Sequence, residues 1–136
     1  AKVRDRGIKP LAYLRSFAVA ASDPTLTYPA VPASVNKALS AAGLTIDDMD
    51  LIEIQEAFAA QVLADVKLMR VKEEDLDRKV NVNGSGISLG HPIAATGTMR
   101  MVTLLYELNR RQARFGLETI CGGGGHGIAA VVERRD

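Results

Sequence analysis

The chain predicts an α/β fold built on a mixed sheet, and three observations carry that expectation. Apolar runs that suit strands alternate with amphipathic stretches that suit helices, in the order strand, helix, strand, helix, long loop, helix, strand, strand. The last two apolar runs are separated only by a glycine run, so they are expected to pair as antiparallel neighbours. The 136 residues, 47% of them hydrophobic, are enough for one compact core.

The first strand is read over residues 11–21, an apolar run after Pro10. Ser22, Asp23, Pro24, Pro29 and Pro32 make 22–32 a loop. Pro32 is expected to open a helix, because a proline in the first turn loses no hydrogen bond. Val31, Val35, Ala38, Leu39 and Ala42 then recur at helical spacing, and Gly43 stops the helix. Residues 49–54 read as a short strand that runs into Gln55-Glu56-Ala57-Phe58. Ala59, Val62, Leu63, Val66 and Met69 predict one apolar face of the next helix. Residues 71–80 are charged and expected at the surface, and Val80 to Pro92 is rich in Gly and Ser with no period. Met101, Val102, Leu105 and Leu108 mark the face of a further helix that ends near Arg110-Arg111. Strands at 117–121 and 128–133 complete the order.

Composition excludes several function classes. A net charge of +1 and the absence of Trp give no electrostatic or stacking reason to expect nucleic acid. One Cys rules out an internal disulfide framework and fits a reducing compartment. No apolar run approaches the roughly 20 residues that span a bilayer. The segment Ala1 to Arg6 has no signal-peptide apolar stretch behind it. It also lacks an initiating Met, as if the chain began mid-protein, although Met removal before Ala looks the same.

Two glycine-walled segments carry the reactive residues. In Asn83-Gly84-Ser85-Gly86-Ile87-Ser88-Leu89-Gly90-His91-Pro92, the proline biases His91 away from helical geometry. The imidazole is thereby presented at a rigid bend before a helix, where it can take a proton from a thiol. The competing reading is a loop His satisfied by backbone groups. In Cys121-Gly122-Gly123-Gly124-Gly125-His126-Gly127, the thiol ends a strand beside free glycine N–H groups, which lower a thiol pKa. The competing reading is a small buried hydrophobe. Neither glycine run is followed by Lys-Ser or Lys-Thr, so a P-loop is excluded. Only Cys121 and His126 are closely spaced among metal-ligating types, and their loop is too sparse to hold a metal. Gln55-Glu56-Ala57-Phe58 lies where a strand becomes a helix, an edge of the sheet that ligands favour. It reads equally as a helix start, with Glu56 at the positive end of the dipole and Phe58 in the core.

Together these segments resemble the C-terminal half of the thiolases, the acyl-CoA acyltransferases. Gln55-Glu56-Ala57-Phe58 is similar to the family's Asn-Glu-Ala-Phe, Gly84 to Pro92 with Ala95-Thr96-Gly97 to its Gly-His-Pro loop, and Cys121 to Gly127 to its Cys-x-Gly-Gly-Gly-x-Gly end. The resemblance runs over nearly the whole chain, so residues 1–136 are expected to form a thiolase C-terminal domain. It implies a layered half with helices on a mixed, mostly five-stranded sheet. His91 would activate a nucleophilic thiolate and help hold the thioester oxygen. Cys121 would shuttle the proton at the α-carbon of the second acyl group, and the Gly123 N–H would join an oxyanion hole. Gln55 would stand where the family's Asn positions an oxyanion-binding water, with the same amide on a stem one methylene longer. Phe58 and Gly90 would contact substrate, Phe58 along the pantetheine channel.

The activity so implied is reversible cleavage of 3-oxoacyl-CoA by CoA, with CoA as substrate and no cofactor. The nucleophilic Cys and the CoA-binding region would lie in an N-terminal half, a partner this chain does not contain. A homo-oligomer in a bacterial cytoplasm or an organelle matrix is also implied. A non-catalytic acyl-CoA-binding or assembly subunit is the rival reading. A ketoacyl-synthase-type condensing enzyme is disfavoured, since those use His or Asn where Cys121 stands.

Overall fold

The computed structural model describes residues 2–26 and 28–135. Ala1, Thr27 and Asp136, which belong to the terminal segment, the loop and the domain limits read above, lie outside the described residues. The elements are α1 (Lys2–Asp5), β1 (Tyr13–Ala21), α2 (Ala30–Ala42), β2 (Leu51–Ile54), α3 (Ala59–Leu68), α4 (Leu76–Lys79), α5 (Gly86–Leu89), α6 (Thr96–Arg111), β3 (Phe115–Gly122) and β4 (His126–Glu133). Short 3-10 turns at Ile46–Asp48 and Glu73–Asp75 link them. α2 begins at Ala30, so Pro32 falls inside its first turn rather than opening it. Gly43 ends α2 in the left-handed region at φ 70°, its N–H returning to the Leu39 and Ser40 carbonyls. No helix of the described residues is long and apolar enough to cross a membrane.

The sheet order is β1-β4-β3-β2. β2 runs parallel to β3, while β3–β4 and β1–β4 are antiparallel, so the sheet is mixed as expected. Four strands pair where mostly five were expected. The fifth place, on the free edge of β2, is reduced to one parallel bridge from Ile52 to Val80. The next residue explains why pairing stops there. Asn81 adopts φ 46°, and its side chain takes the place of a strand partner. Its Oδ1 accepts from the Ile54 N–H at 2.7 Å and its Nδ2 donates to the Ile54 carbonyl at 2.9 Å.

Each face of the sheet is packed differently. On one, α2 and α3 bury Val35, Leu39, Ile52, Ile54, Val66, Leu117, Ala129 and Val131. On the other, α6 packs Leu104 and Leu108 with Leu51 and Val132. α6 lies mainly over β2 and β3. Phe17 (68% exposed), Val19 and Ile128, which share that face on β1 and β4, stay uncovered.

The helix faces correct the apolar periodicity. Leu63, expected inward, is 67% exposed, while Gln61 and Asp65 are buried beside Val66. On α6 the buried row is Thr96, Arg100, Leu104 and Leu108, and Val102 faces out. In both helices a polar i, i+4 pair has taken inward places that apolar spacing assigned to other residues.

Candidate active site

Parallel pairing brings the ends of β2 and β3 to one edge of the sheet, with Ile54 opposite Thr119. The Gln55 N–H continues the ladder to the Thr119 carbonyl at 3.0 Å, two residues before Cys121. The two sequence segments that carried the QEAF and glycine-loop patterns are locked together here. The Ser85 hydroxyl donates to the Ile54 carbonyl at 2.9 Å, and Glu56 accepts from the Ile87 N–H at 3.0 Å and from Asn81 Nδ2 at 3.1 Å. Gly86 is required at this junction, since a Cβ there would stand 2.5 Å from Gln55 Nε2 and 2.7 Å from the Glu56 carbonyl oxygen. Arg100 closes the loop from the other side, donating to the Gly84 carbonyl at 2.9 Å.

Gln55 is 1% exposed, and neither its Nε2 nor its Oε1 has a hydrogen-bond partner among the described residues. Such a buried, unpartnered amide is costly and rare. Glu56 does cap a helix, but that helix is α5 rather than the α3 that follows it in sequence. Phe58 is not in the core. It is 63% exposed and, with Tyr28, Ala60, Gln61 and Ala64, lines a shallow depression of about 260 Å³.

His91 is exposed at the end of the loop, after Gly90. Its Nδ1 meets the Thr96 hydroxyl at 2.7 Å, and Thr96 is the buried first residue of α6. The partner is a side chain, not the backbone groups of the competing reading. Nε2 is without a hydrogen-bond partner among the described residues. Gly97, one residue into α6, packs against Ile120, with a Cβ position 3.3 Å from its side chain. His91 therefore approaches the edge from the α6 face.

Cys121 approaches from the other face. It is paired with Gly127, and a Cβ on Gly127 would stand 2.3 Å from the Ala30 carbonyl oxygen, so both residues face α2. Among the described residues no hydrogen bond joins His91 to Cys121, or either to Gln55. The expectation of a lowered thiol pKa is reversed. Burial pushes the half-buried Cys121 thiol up, and the Asp65 carboxylate pushes the same way. The glycine turn contributes open space. Gly123 has nothing within 4 Å of a Cβ position, and its carbonyl accepts from His126 Nδ1 at 3.0 Å. Gly90 is likewise open.

Beneath the loop lies a charged group that periodicity concealed. Glu53 and Glu118 are register partners on β2 and β3, buried on the α6 face with Arg100. Burial raises Glu53 to about 7, with Arg100 opposing and Glu56 and Glu107 adding to it. Burial likewise raises Glu118 to about 7, with Glu53 adding and Arg100 opposing. Asp65, also raised to about 7 by burial, accepts from Gln61 on α3. The available sequence signal was polar spacing at i, i+4, in Gln61 with Asp65 and in Thr96 with Arg100.

Comparison with known proteins places the chain in a family. A family described as "Thiolase, C-terminal domain" matches residues 8–134. The beta-ketothiolase BktB of Cupriavidus necator is 51% identical over 135 residues, covering 98% of this chain and 33% of the relative. An acetyl-CoA acetyltransferase of Chromobacterium violaceum is 46% identical over 133 residues, with the same shares. Human mitochondrial 3-ketoacyl-CoA thiolase, solved in complex with CoA, superposes with a TM-score of 0.93 at 34% identity, over 99% of this chain and 33% of that one. The chain thus spans 33% of the length of the relatives it matches. With the sheet topology, the three motifs and these matches in agreement, the chain belongs to the thiolase family, matching its C-terminal domain.

Proposed function

We propose that the protein carrying this chain is an acyl-CoA acyltransferase of the thiolase type, reversibly cleaving 3-oxoacyl-CoA with CoA to acyl-CoA and acetyl-CoA. The nucleophilic Cys comes from an N-terminal half, since the single Cys here is assigned to another step. His91 is the base for that nucleophile, with Thr96 fixing its ring through Nδ1. Cys121 carries the proton to and from the α-carbon. Its raised proton affinity suits a group that must hold a proton before donating it. Gln55 offers its unpartnered amide to the developing oxyanion, and Gly123, with open space at its Cβ position, is assigned to supply its N–H. Phe58 and Gly90 are assigned to the acyl-CoA chain.

The observation that supports this reading is the unpartnered Gln55 amide at the end of the parallel β2–β3 pair, with Cys121 and an open glycine turn at the end of the same β3 strand. The test is steady-state thiolysis of acetoacetyl-CoA by the complete protein and by Cys121→Ala and His91→Ala. Acyl-enzyme formation is followed separately by mass. Cys121→Ala is expected to form acyl-enzyme but fail in condensation, and His91→Ala to fail in acylation. The reverse pattern would exchange the two roles. This chain alone is expected to show no turnover.

We assign the N-terminal half to the uncovered strip of Phe17, Val19 and Ile128 and the adjoining outer side of α6. An apolar strip of this kind marks a partner surface. Light scattering of this chain alone checks it. Concentration-dependent association that Phe17→Asp abolishes is expected, and a strictly monomeric wild-type chain would refute the assignment. A homo-oligomer in a bacterial cytoplasm or an organelle matrix completes the proposal.

A further inference from the structure

Asp65 is a buried group that the roles above leave unused. It has no exposed surface, and its Oδ2 accepts from Gln61 one turn earlier on α3. Gln61 is itself held, its Oε1 accepting from the N–H groups of Ala57 at 3.2 Å and Phe58 at 3.4 Å. Asp65 Oδ1 is buried and has no hydrogen-bond partner among the described residues. A buried, half-satisfied carboxyl is costly, and such groups cluster where they act.

The fold lays this carboxyl on the Cys121 side of the sheet. Side chains alternate along a strand, so Cys121 shares a face with Leu117 and, across the ladder, with Ala129 and Val131. Val66, the next residue after Asp65, packs into the cluster those three residues form. The buried residues that α2 contributes opposite are Ala30, Val31, Pro32, Ser34, Val35, Ala38 and Leu39, none of them ionisable. His126, on the β3–β4 turn, is register partner to Gly122 and so belongs to the other face. On α3 itself Lys67 is exposed. Asp65 is the group whose charge reaches Cys121, and burial and Gln61 are the influences on Asp65.

We propose that Asp65 is a positioning residue for Cys121: its carboxyl, braced by Gln61 and with Oδ1 unpartnered, is buried on the same side of the sheet as the thiol, so that the two are not readily ionised together. The inference rests on Cys121 being the proton shuttle. In cleavage, the electron pair of the breaking bond between the α- and β-carbons takes the Cys121 proton to form the C–H bond at the α-carbon, and the S–H pair remains on sulfur as the thiolate. An ionised Asp65 makes that thiolate a stronger base, ready to take a proton from the α-carbon in the reverse direction.

The experiment is alkylation of Cys121 by iodoacetamide from about pH 5 to about pH 10, read on the Cys121 peptide by mass spectrometry. Wild type is compared with Asp65→Asn, in the protein as purified. Asp65→Asn is expected to move the midpoint of the rate to lower pH and to alkylate severalfold faster near neutrality. In wild type the rate is expected to rise by less than tenfold per pH unit through the range where Asp65 ionises. An unchanged midpoint in Asp65→Asn, even with lowered stability, would overturn the proposal. So would a wild-type profile with a uniform tenfold slope, which needs no variant to fold. Neither measurement uses CoA or an acyl substrate, so the coupling can fail while thiolysis stands, and the reverse.

Discussion

At the edge of the sheet where β4 finishes, Glu133 is buried against three guanidinium groups, from Arg15, Arg114 and Arg135. At the end of the sheet where β3 finishes, Gln55 is buried with amide atoms that meet no partner among the described residues, as is Asp65 Oδ1 on α3. The same chemical group behaves in opposite ways at the two ends. Burial alone would raise Glu133, but Arg135 and Arg114 outweigh it and hold the carboxyl at about 2. Glu107, near the C-terminal turn of α6, is also held at about 2, chiefly by Arg110 and with Arg111 adding. Burial without a cation leaves Asp65 at about 7. The first end is wired for stability, since each charge finds its counter-charge. The second keeps unpaired polar groups that cost stability.

The largest expected effect separates the ends by function. In the complete protein, Cys121→Ala and His91→Ala should each lower thiolysis about 10³-fold or more, while Glu133→Ala leaves the turnover of folded enzyme unchanged. Steady-state assay beside thermal melting checks this, and an equal loss from Glu133→Ala would erase the contrast. Next comes a distinction within the glycine run. Gly127→Ala drives a Cβ to 2.3 Å from the Ala30 carbonyl and should cost about 3 kcal/mol in urea unfolding. Gly123→Ala has open space and should change stability by less than about 0.5 kcal/mol, with its effect confined to activity.

Glu133→Ala should cost about 2 kcal/mol near neutral pH, for the charged hydrogen bonds it removes. The sign with pH sharpens the comparison. Glu133 has a folded pKa below its unfolded value, so its stabilisation is complete above about pH 4.5 and fades as pH falls toward about 2. Asp65 has a folded pKa above its unfolded value, so its contribution to stability is lost as pH rises from about 4 through about 7. Denaturant titrations of Glu133→Gln and Asp65→Asn should therefore both depart from wild type as pH rises, in opposite directions: Glu133→Gln becomes relatively less stable above about pH 4.5, and Asp65→Asn relatively more stable toward about pH 7. The smallest effect is at Thr96. Thr96→Val removes the partner of His91 Nδ1 and should slow acylation about tenfold, with little change in melting. Rescue by Thr96→Ser would tie the loss to the hydroxyl.

Much of the fold was legible because its signals are local. Gly43 ends α2 through its own backbone angle, and the glycine run between two apolar stretches can only be a tight turn. The charged segment 71–80 is expected at the surface, and its charged residues largely lie there; Val71, Leu76 and Val80 pack against the core, and Asp75 turns inward to Lys79 and Arg78. His91 and Cys121 were legible as candidates for the same reason, since proline and glycine constrain only their neighbours. The fifth strand was not legible. Val80 suits a strand, but Asn81 occupies the β2 edge with its side chain, and that competition exists only across space.

By itself, then, the sequence determined the order of elements, the hairpin, the helix stops and the residues available for chemistry. These depend on backbone preferences and periodicity over a few residues. Only the tertiary structure decided that Glu56 caps α5, that Phe58 lies at the surface and that Gln61 and Asp65 turn inward in place of Leu63. It also decided that the Cys121 thiol holds its proton more tightly, against the expectation from its glycines. A proton affinity is set by the dielectric and the charges within a few ångströms, and those come from elements far away in the chain.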